Sequence, residues 1–115
     1  MKVKRKFTLE AIAAGTAASL EKATDKAPED MGCYIMTIDN EVVYVGKAES
    51  GLKKRFQSYY NGNNNYPSGR LIYNNRDYIF VYWEVLETKD ECRTLETKLI
   101  KELDPSWNER SGPSQ

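Results

Sequence analysis

The chain has 115 residues, no histidine, 17 basic and 17 acidic side chains and a formal net charge of zero. That length suits one domain with a single modest core, and no apolar run approaches the roughly 20 residues of a membrane helix. Lack of imidazole excludes a Ser-His-Asp triad, a histidine base and histidine metal ligands; a bound metal would see oxygen donors, which suit Mg²⁺ or Mn²⁺.

In chain order, Phe7 to about Lys22 is predicted as a helix, with Thr8 as N-cap and Leu9, Ile12, Thr16 and Leu20 on one stripe. Ala23 to Asp30 is polar, contains Pro28 and is expected as a linker. Met31 to Ile38 and Glu41 to Gly46 read as strands of a hairpin turning at Asp39-Asn40. Ser50 to Tyr60 is a predicted helix with Leu52, Phe56 and Tyr59 facing a core. Asn61 to Gly69 is expected as a flexible polar loop and Arg70 to Asn74 as a short turn of helix. Tyr78 to Leu86 is the strongest strand pattern, rich in aromatic and β-branched residues. Thr88 to Leu103 is a helix with Cys92, Leu95, Leu99 and Leu103 on its buried stripe, ended by Pro105. The expected fold is α+β: a small three-stranded, mainly antiparallel sheet flanked by helices, with an extra N-terminal helix. The division is 1–30 helix and linker, 31–108 main domain, 109–115 flexible tail.

The two cysteines, Cys33 and Cys92, lack metal-ligand spacing and read as reduced, buried thiols. The basic start, Met1 to Lys6, is not followed by a long apolar core, so it is not read as a signal peptide, and the expected location is cytoplasmic. Charge is segregated: Lys2 to Lys6 and Lys47 to Arg55 are basic, whereas Glu84 to Glu91 and Glu102 to Asp104 lean acidic. Such separation can aim one face at a polyanion.

The chemistry-bearing residues cluster in one stretch. Tyr34 and Tyr44 stand ten positions apart on the two hairpin strands, and Lys47, Arg55 and Tyr59 follow directly. Arg55 and Tyr59, at i and i+4, share a helix face. Cleaving a phosphodiester needs an activated water, positive charge for the phosphate and help for the leaving oxygen. A tyrosine with a pKa near 10 is a poor base unless a cation lowers it, and Lys47 and Arg55 are the candidates to do so. Glu96, at the edge of a buried stripe, offers a carboxylate for one ion, and Asn108 offers an amide. Taken singly, each has a plainer role as strand aromatic, solvated charge or turn residue. Their joint order is what points to a site.

Gly32-Cys33-Tyr34 and Tyr44-Val45-Gly46, with Arg55, Glu96 and Asn108 in order, resemble the GIY-YIG nucleases over roughly Met31 to Asn108. The run from Gly32 to Tyr60 is similar to the version in a bacterial excision-repair subunit. Pro105-Ser106-Trp107-Asn108 is similar to the ending of a small phage endonuclease. Cys33 stands where isoleucine is usual, and Gly51 looks like one extra residue before the arginine helix. The resemblance implies a metal-dependent DNA endonuclease. Tyr34 and Tyr44 match the motif tyrosines, one of which deprotonates water, with Tyr34 favoured. Gly46 matches a position where a side chain would crowd the site. Lys47 would polarise the tyrosine or phosphate, Arg55 would contact the scissile phosphate, and Tyr59 matches a tyrosine-or-histidine position. Glu96 would be the single ligand of one Mg²⁺ or Mn²⁺, and Asn108 would order the end of the site.

For DNA binding, Lys53, Lys54 and Arg70 are candidates for phosphates and Asn64 for a groove. One such site cuts one strand, so double-strand cleavage implies a homo-oligomer or sequential nicking. The chain length leaves no room for an attached targeting domain, and the N-terminal helix is a candidate for docking a protein partner. The alternative is a non-catalytic nucleic-acid-binding or protein-interaction module on the same fold.

Overall fold

The computed structural model describes residues 17–108. Along the chain run β1 (Ala17–Ser19), α1 (Leu20–Lys26), β2 (Gly32–Ile38), β3 (Glu41–Ala48), α2 (Leu52–Tyr60), α3 (Pro67–Asn74), a 3₁₀ turn (Arg76–Tyr78), β4 (Phe80–Val85) and α4 (Lys89–Leu103). The strands form one antiparallel sheet in the order β1-β4-β2-β3. No helix among the described residues is long and apolar enough to cross a membrane.

Among the described residues the sheet therefore has four strands rather than the expected three. The extra one lies where the sequence reads as helix: Ala17–Ser19 pairs with Tyr82 to Phe80 of β4. Long-range pairing overrides the helix preference of alanine there. Ser19 then caps α1, its hydroxyl accepting from the Lys22 N–H. Thr8 and the stripe at Leu9, Ile12 and Thr16 lie outside the described residues. Part of the expected linker is helix α1. The rest, residues 27–30, anchors α2: the Leu52 and Lys53 N–H groups donate to the Asp30 and Pro28 carbonyls. Those are two of the donors a helix start leaves without partners. The expected loop likewise ends early, because Pro67 sits at the start of α3, a position that suits its missing N–H.

The β2–β3 hairpin turns on Asp39 and Asn40, with φ of 53° and 68°. Two residues of positive φ match the twist of the paired strands. From this turn Ile38 pairs Glu41 and Thr37 pairs Val42, but then the register shifts and Met36 pairs Tyr44, with Val43 as the extra residue. This bulge restarts the alternation of side chains. Without it Tyr44 would oppose Ile35 and face away from Tyr34; with it, Tyr44 shares the Tyr34 face.

The sheet's two faces carry two clusters. The larger gathers Tyr34, Met36 and Val43 with Leu20, Leu52, Phe56, Tyr59 and Ile72 under α1, α2 and α3. The smaller gathers Ile35, Val42 and Val45 with Leu99 and Leu103 under α4. Helix α4 starts with a reciprocal capping box between Thr88 and Glu91. After it, Trp107 and Asn108 cover the outer edge of β3: the Trp107 N–H donates to the Val43 carbonyl at 2.8 Å. The Asn108 amide both accepts from the Val45 N–H and donates to the Val45 carbonyl, each at 2.9 Å. A free strand edge invites pairing with other chains, and this segment occupies it.

Candidate active site

Three tyrosines meet on the α2 face. Ring centroids are 6.2 Å apart for Tyr34–Tyr44, 6.1 Å for Tyr34–Tyr59 and 6.4 Å for Tyr44–Tyr59. Tyr34 is wholly buried and its hydroxyl lies 2.7 Å from that of Tyr59. Tyr44 comes from the bulged strand, and its phenol interacts with that of Tyr59 and with Ser68 at the same cleft. The glycine of the second motif makes the cluster possible. A Cβ on Gly46 would lie 2.5 Å from the Tyr34 hydroxyl oxygen and 2.9 Å from Tyr44 Cε2. The glycine of the first motif has a different reason: a Cβ on Gly32 would strike the Glu84 carbonyl oxygen at 2.1 Å.

Arg55 enters from α2. Its guanidinium donates to the Lys47 carbonyl at 2.9 Å, and its charge lies close enough to the Tyr34 and Tyr59 phenols to interact with both. Gly51 takes the N-cap position of α2 at φ 124°, so the extra residue is absorbed without shifting Arg55 from the tyrosines. A cleft of about 370 Å³ opens in front, lined by Tyr44, Arg55, Tyr59, Asn64, Ser68 and Asn108 among others. Tyr34 sits behind this lining.

Lys47 and Glu96 approach from the other face. Lys47 pairs with Cys33 in register, so both point toward α4. There Lys47 Nζ pairs with Glu49 at 3.6 Å, each side chain about a third exposed. Glu96, half-buried on α4, has a carboxyl held above the usual range by burial, with Lys47 and Arg55 pulling it down and Glu49 pushing it up. The two faces are electrostatically coupled, since the Glu96 charge also raises the Tyr44 phenol.

The cations do not produce low phenol pKa values. Tyr34 is raised well above 10, first by burial and then by the neighbouring phenols, and Arg55 offsets this only partly. Tyr44 is raised too, again chiefly by burial. Lys47 points to the α4 face, on the other side of β3 from both phenols. Cys33 and Cys92 are free and buried, and burial lifts the Cys33 thiol to about 12. Its Sγ–H donates to the Cys92 carbonyl, so Cys33 fills an apolar position as a small hydrophobe.

Of the DNA-binding candidates, Asn64 lines the cleft, although its Oδ1 is engaged by the Tyr66 N–H at 3.1 Å. Lys53 and Lys54 line a separate recess with Glu29 and Gln57. Lys54 also borders a shallow hollow shared with Arg55 and Ser58. Arg70 is exposed on α3 and does not line the cleft. Sequence reasoning missed Ser68, which carries no local signal, and Glu49, whose spacing of two from a strand lysine places both on one side.

No group of three or more cysteines, aspartates or glutamates gathers among the described residues. Glu96 offers hard oxygen at a partly desolvated position, and the chain has no imidazole to compete. The donor set fits a hard divalent ion completed by water and phosphate oxygens.

A four-stranded antiparallel sheet with tyrosines, arginine and glutamate gathered around one edge strand defines a small nuclease domain. The sequence model of the UvrC-like GIY-YIG domain matches residues 30–109, and the chain belongs to that family. It is 36% identical over 91 residues to UvrABC system protein C of Mycoplasma mycoides, covering 78% of this chain and 15% of that protein. It is 38% identical over 82 residues to the Prochlorococcus marinus protein of the same name, covering 70% of this chain and 12% of that one. The chain thus spans only a small part of these relatives. The magnesium-bound N-terminal GIY-YIG endonuclease domain of UvrC from Thermotoga maritima superposes with a TM-score of 0.65 at 30% identity, over 78% of this chain and 96% of that one. Three tyrosines replaced by phenylalanine in mutants of that domain stand ten and fourteen positions apart. Tyr34, Tyr44 and Tyr59 stand ten and fifteen apart, with Gly51 in the longer interval. A bacteriophage T4 EndoII mutant shares the fold, with a TM-score of 0.60 at 18% identity over 86% of this chain and 92% of that one.

Proposed function

We propose that this chain is a divalent-metal-dependent DNA endonuclease domain that hydrolyses phosphodiester bonds. The observation that carries the reading is the meeting of Tyr44, Tyr59 and Arg55 in one cleft, with the Glu96 charge near enough to act on Tyr44 and Arg55. Arg55, held by the Lys47 carbonyl, takes the scissile phosphate and offsets the charge that grows on it. Burial keeps the Tyr34 and Tyr44 phenols neutral at rest. Tyr44, which reaches the cleft, accepts a hydrogen bond from the attacking water and sets its line of approach. This moves the water-facing role from Tyr34 to Tyr44. Tyr34 holds Tyr59 from behind, and Arg55 favours loss of a phenol proton when a tyrosine acts as base. Glu96 would hold one Mg²⁺ or Mn²⁺, and such an ion supplies Lewis acidity to the phosphate and to a bound water. Asn108 is committed to the Val45 backbone and keeps the cleft's end in place.

Cleavage of supercoiled plasmid with Mg²⁺ or Mn²⁺ tests this. Wild type should cut, and Glu96→Ala should cut at least about 100-fold more slowly. A single site acts on one strand, so nicked circles should precede linear DNA unless two copies act together. Equal cutting by both proteins would remove Glu96 from the site. DNA binding with no cutting by either would favour a binding module.

A further inference from the structure

The rim of the cleft carries a side chain that the cleavage chemistry does not use. Tyr66 is 74% exposed, and among the described residues it alone of the exposed large apolar side chains also lines the cleft. Its backbone is fixed from three directions. The Tyr66 N–H is bonded by Asn64 Oδ1 at 3.1 Å. That Asn64 side chain lies against Gly69, where a Cβ would meet Oδ1 at 2.2 Å. Pro67 follows directly as the first residue of α3. An aromatic ring is therefore held out over the opening on a set backbone, beside Tyr44 and Arg55. Tyr78 is nearly as exposed, at 71%, but lies away from the cleft. Its exposure needs no ligand.

We propose that Tyr66 is a nucleobase-stacking residue that directs the site toward DNA with an unpaired base next to the scissile phosphate. The inference rests on the DNA-cleaving reading above. Arg55 and Tyr66 line the same cleft, so a phosphate taken by Arg55 brings its neighbouring nucleotide to that cleft. A base still paired and stacked in a duplex shows the protein only its edge, whereas an unpaired base offers its π-face. Base–aromatic stacking is tolerant of base identity, so the preference is for the unpaired state and not for a sequence.

The test compares two DNAs, a perfect duplex and the same duplex with a single-nucleotide bulge, by fluorescence anisotropy. Glu96→Gln serves as the background so that no cutting intervenes. That protein should bind the bulged DNA about 10-fold tighter. Adding Tyr66→Ala should remove the preference, Tyr66→Phe should keep it, and Tyr78→Ala should leave it unchanged. A preference that survives Tyr66→Ala, or no preference in the background protein, overturns the inference while plasmid cleavage by wild type still upholds the enzyme. No binding to either DNA together with no plasmid cleavage removes both.

Discussion

Both faces of the sheet carry an apolar cluster, but around the site the side chains they offer are opposite in kind. On the α2 face, Tyr34, Phe56 and Tyr59 are almost wholly buried and touch edge to face, with Tyr34–Phe56 centroids 5.2 Å apart. On the α4 face, Lys47, Glu49 and Glu96 are charged and partly exposed to water. The first face sets geometry by packing, so its chemistry and its stability are inseparable. The second carries charge that solvent and substrate can reach, so its chemistry can be removed with the fold intact. Arg55 belongs to both: its helix packs on the tyrosines while its charge acts on Glu96.

Gly46→Ala should break the packed face most severely. Its Cβ would overlap the Tyr34 hydroxyl and ring carbon, at 2.5 and 2.6 Å, and Tyr34 has no exposed direction in which to move. Overpacking of this kind costs about 3 kcal/mol. A urea melt should show the midpoint fall with the slope unchanged, and plasmid cleavage should fall with it. An unshifted midpoint would mean that the tyrosine cluster is loose, and the contrast between the faces would lapse.

Tyr34→Phe keeps the ring and removes one hydroxyl. Tyr59 then loses its 2.7 Å partner while 2% exposed, a loss of about 1–2 kcal/mol at neutral pH. The same variant reports on titration. Tyr34 in the folded protein titrates above its usual value of 10, because burial disfavours the phenolate. The unfolded chain therefore loses that proton first. The stability this contributes is complete below pH 10 and is lost as pH rises from there through the folded value, at up to about 1.4 kcal/mol per pH unit for each such group. Wild type should lose stability more steeply than Tyr34→Phe above pH 10. Parallel alkaline curves would place the Tyr34 hydroxyl in contact with water.

Much of this was legible in the chain. The hairpin turn, the aromatic strand and the capped helix α4 all carry local signals, and local signals sufficed. The fourth strand did not, because Ala17–Ser19 is a strand only by virtue of β4. The expected helix reaches Lys22 and so takes in only the start of α1; its continuation to Lys26 falls in the expected linker, although Leu20, Ala23 and Ala27 recur at helical spacing and are buried. The bulge matters most. A two-residue hairpin in regular register puts Tyr34 and Tyr44 on opposite faces, so spacing alone argues against their meeting. Resemblance to a family brought them together, and the inserted Val43 is the physical reason. Neither the reach of Ser68 nor the raised phenols could be read without knowing what buries them.

Glu96→Gln gives the smallest stability change and the sharpest contrast. Glutamine keeps the volume and removes a carboxylate whose ionised form is disfavoured by partial burial. Lys47 loses nothing essential, since Glu49 remains beside it at 3.6 Å. With chelator present, the unfolding free energy at neutral pH should move by no more than about 0.5 kcal/mol, toward greater stability if at all. Cleavage should nevertheless collapse as it does for Glu96→Ala. If Glu96→Gln instead melts as early as Gly46→Ala, the carboxylate is holding α4 against the sheet. Its loss would then disable the site by misplacing α4, and cleavage data on Glu96 variants would no longer report on metal binding.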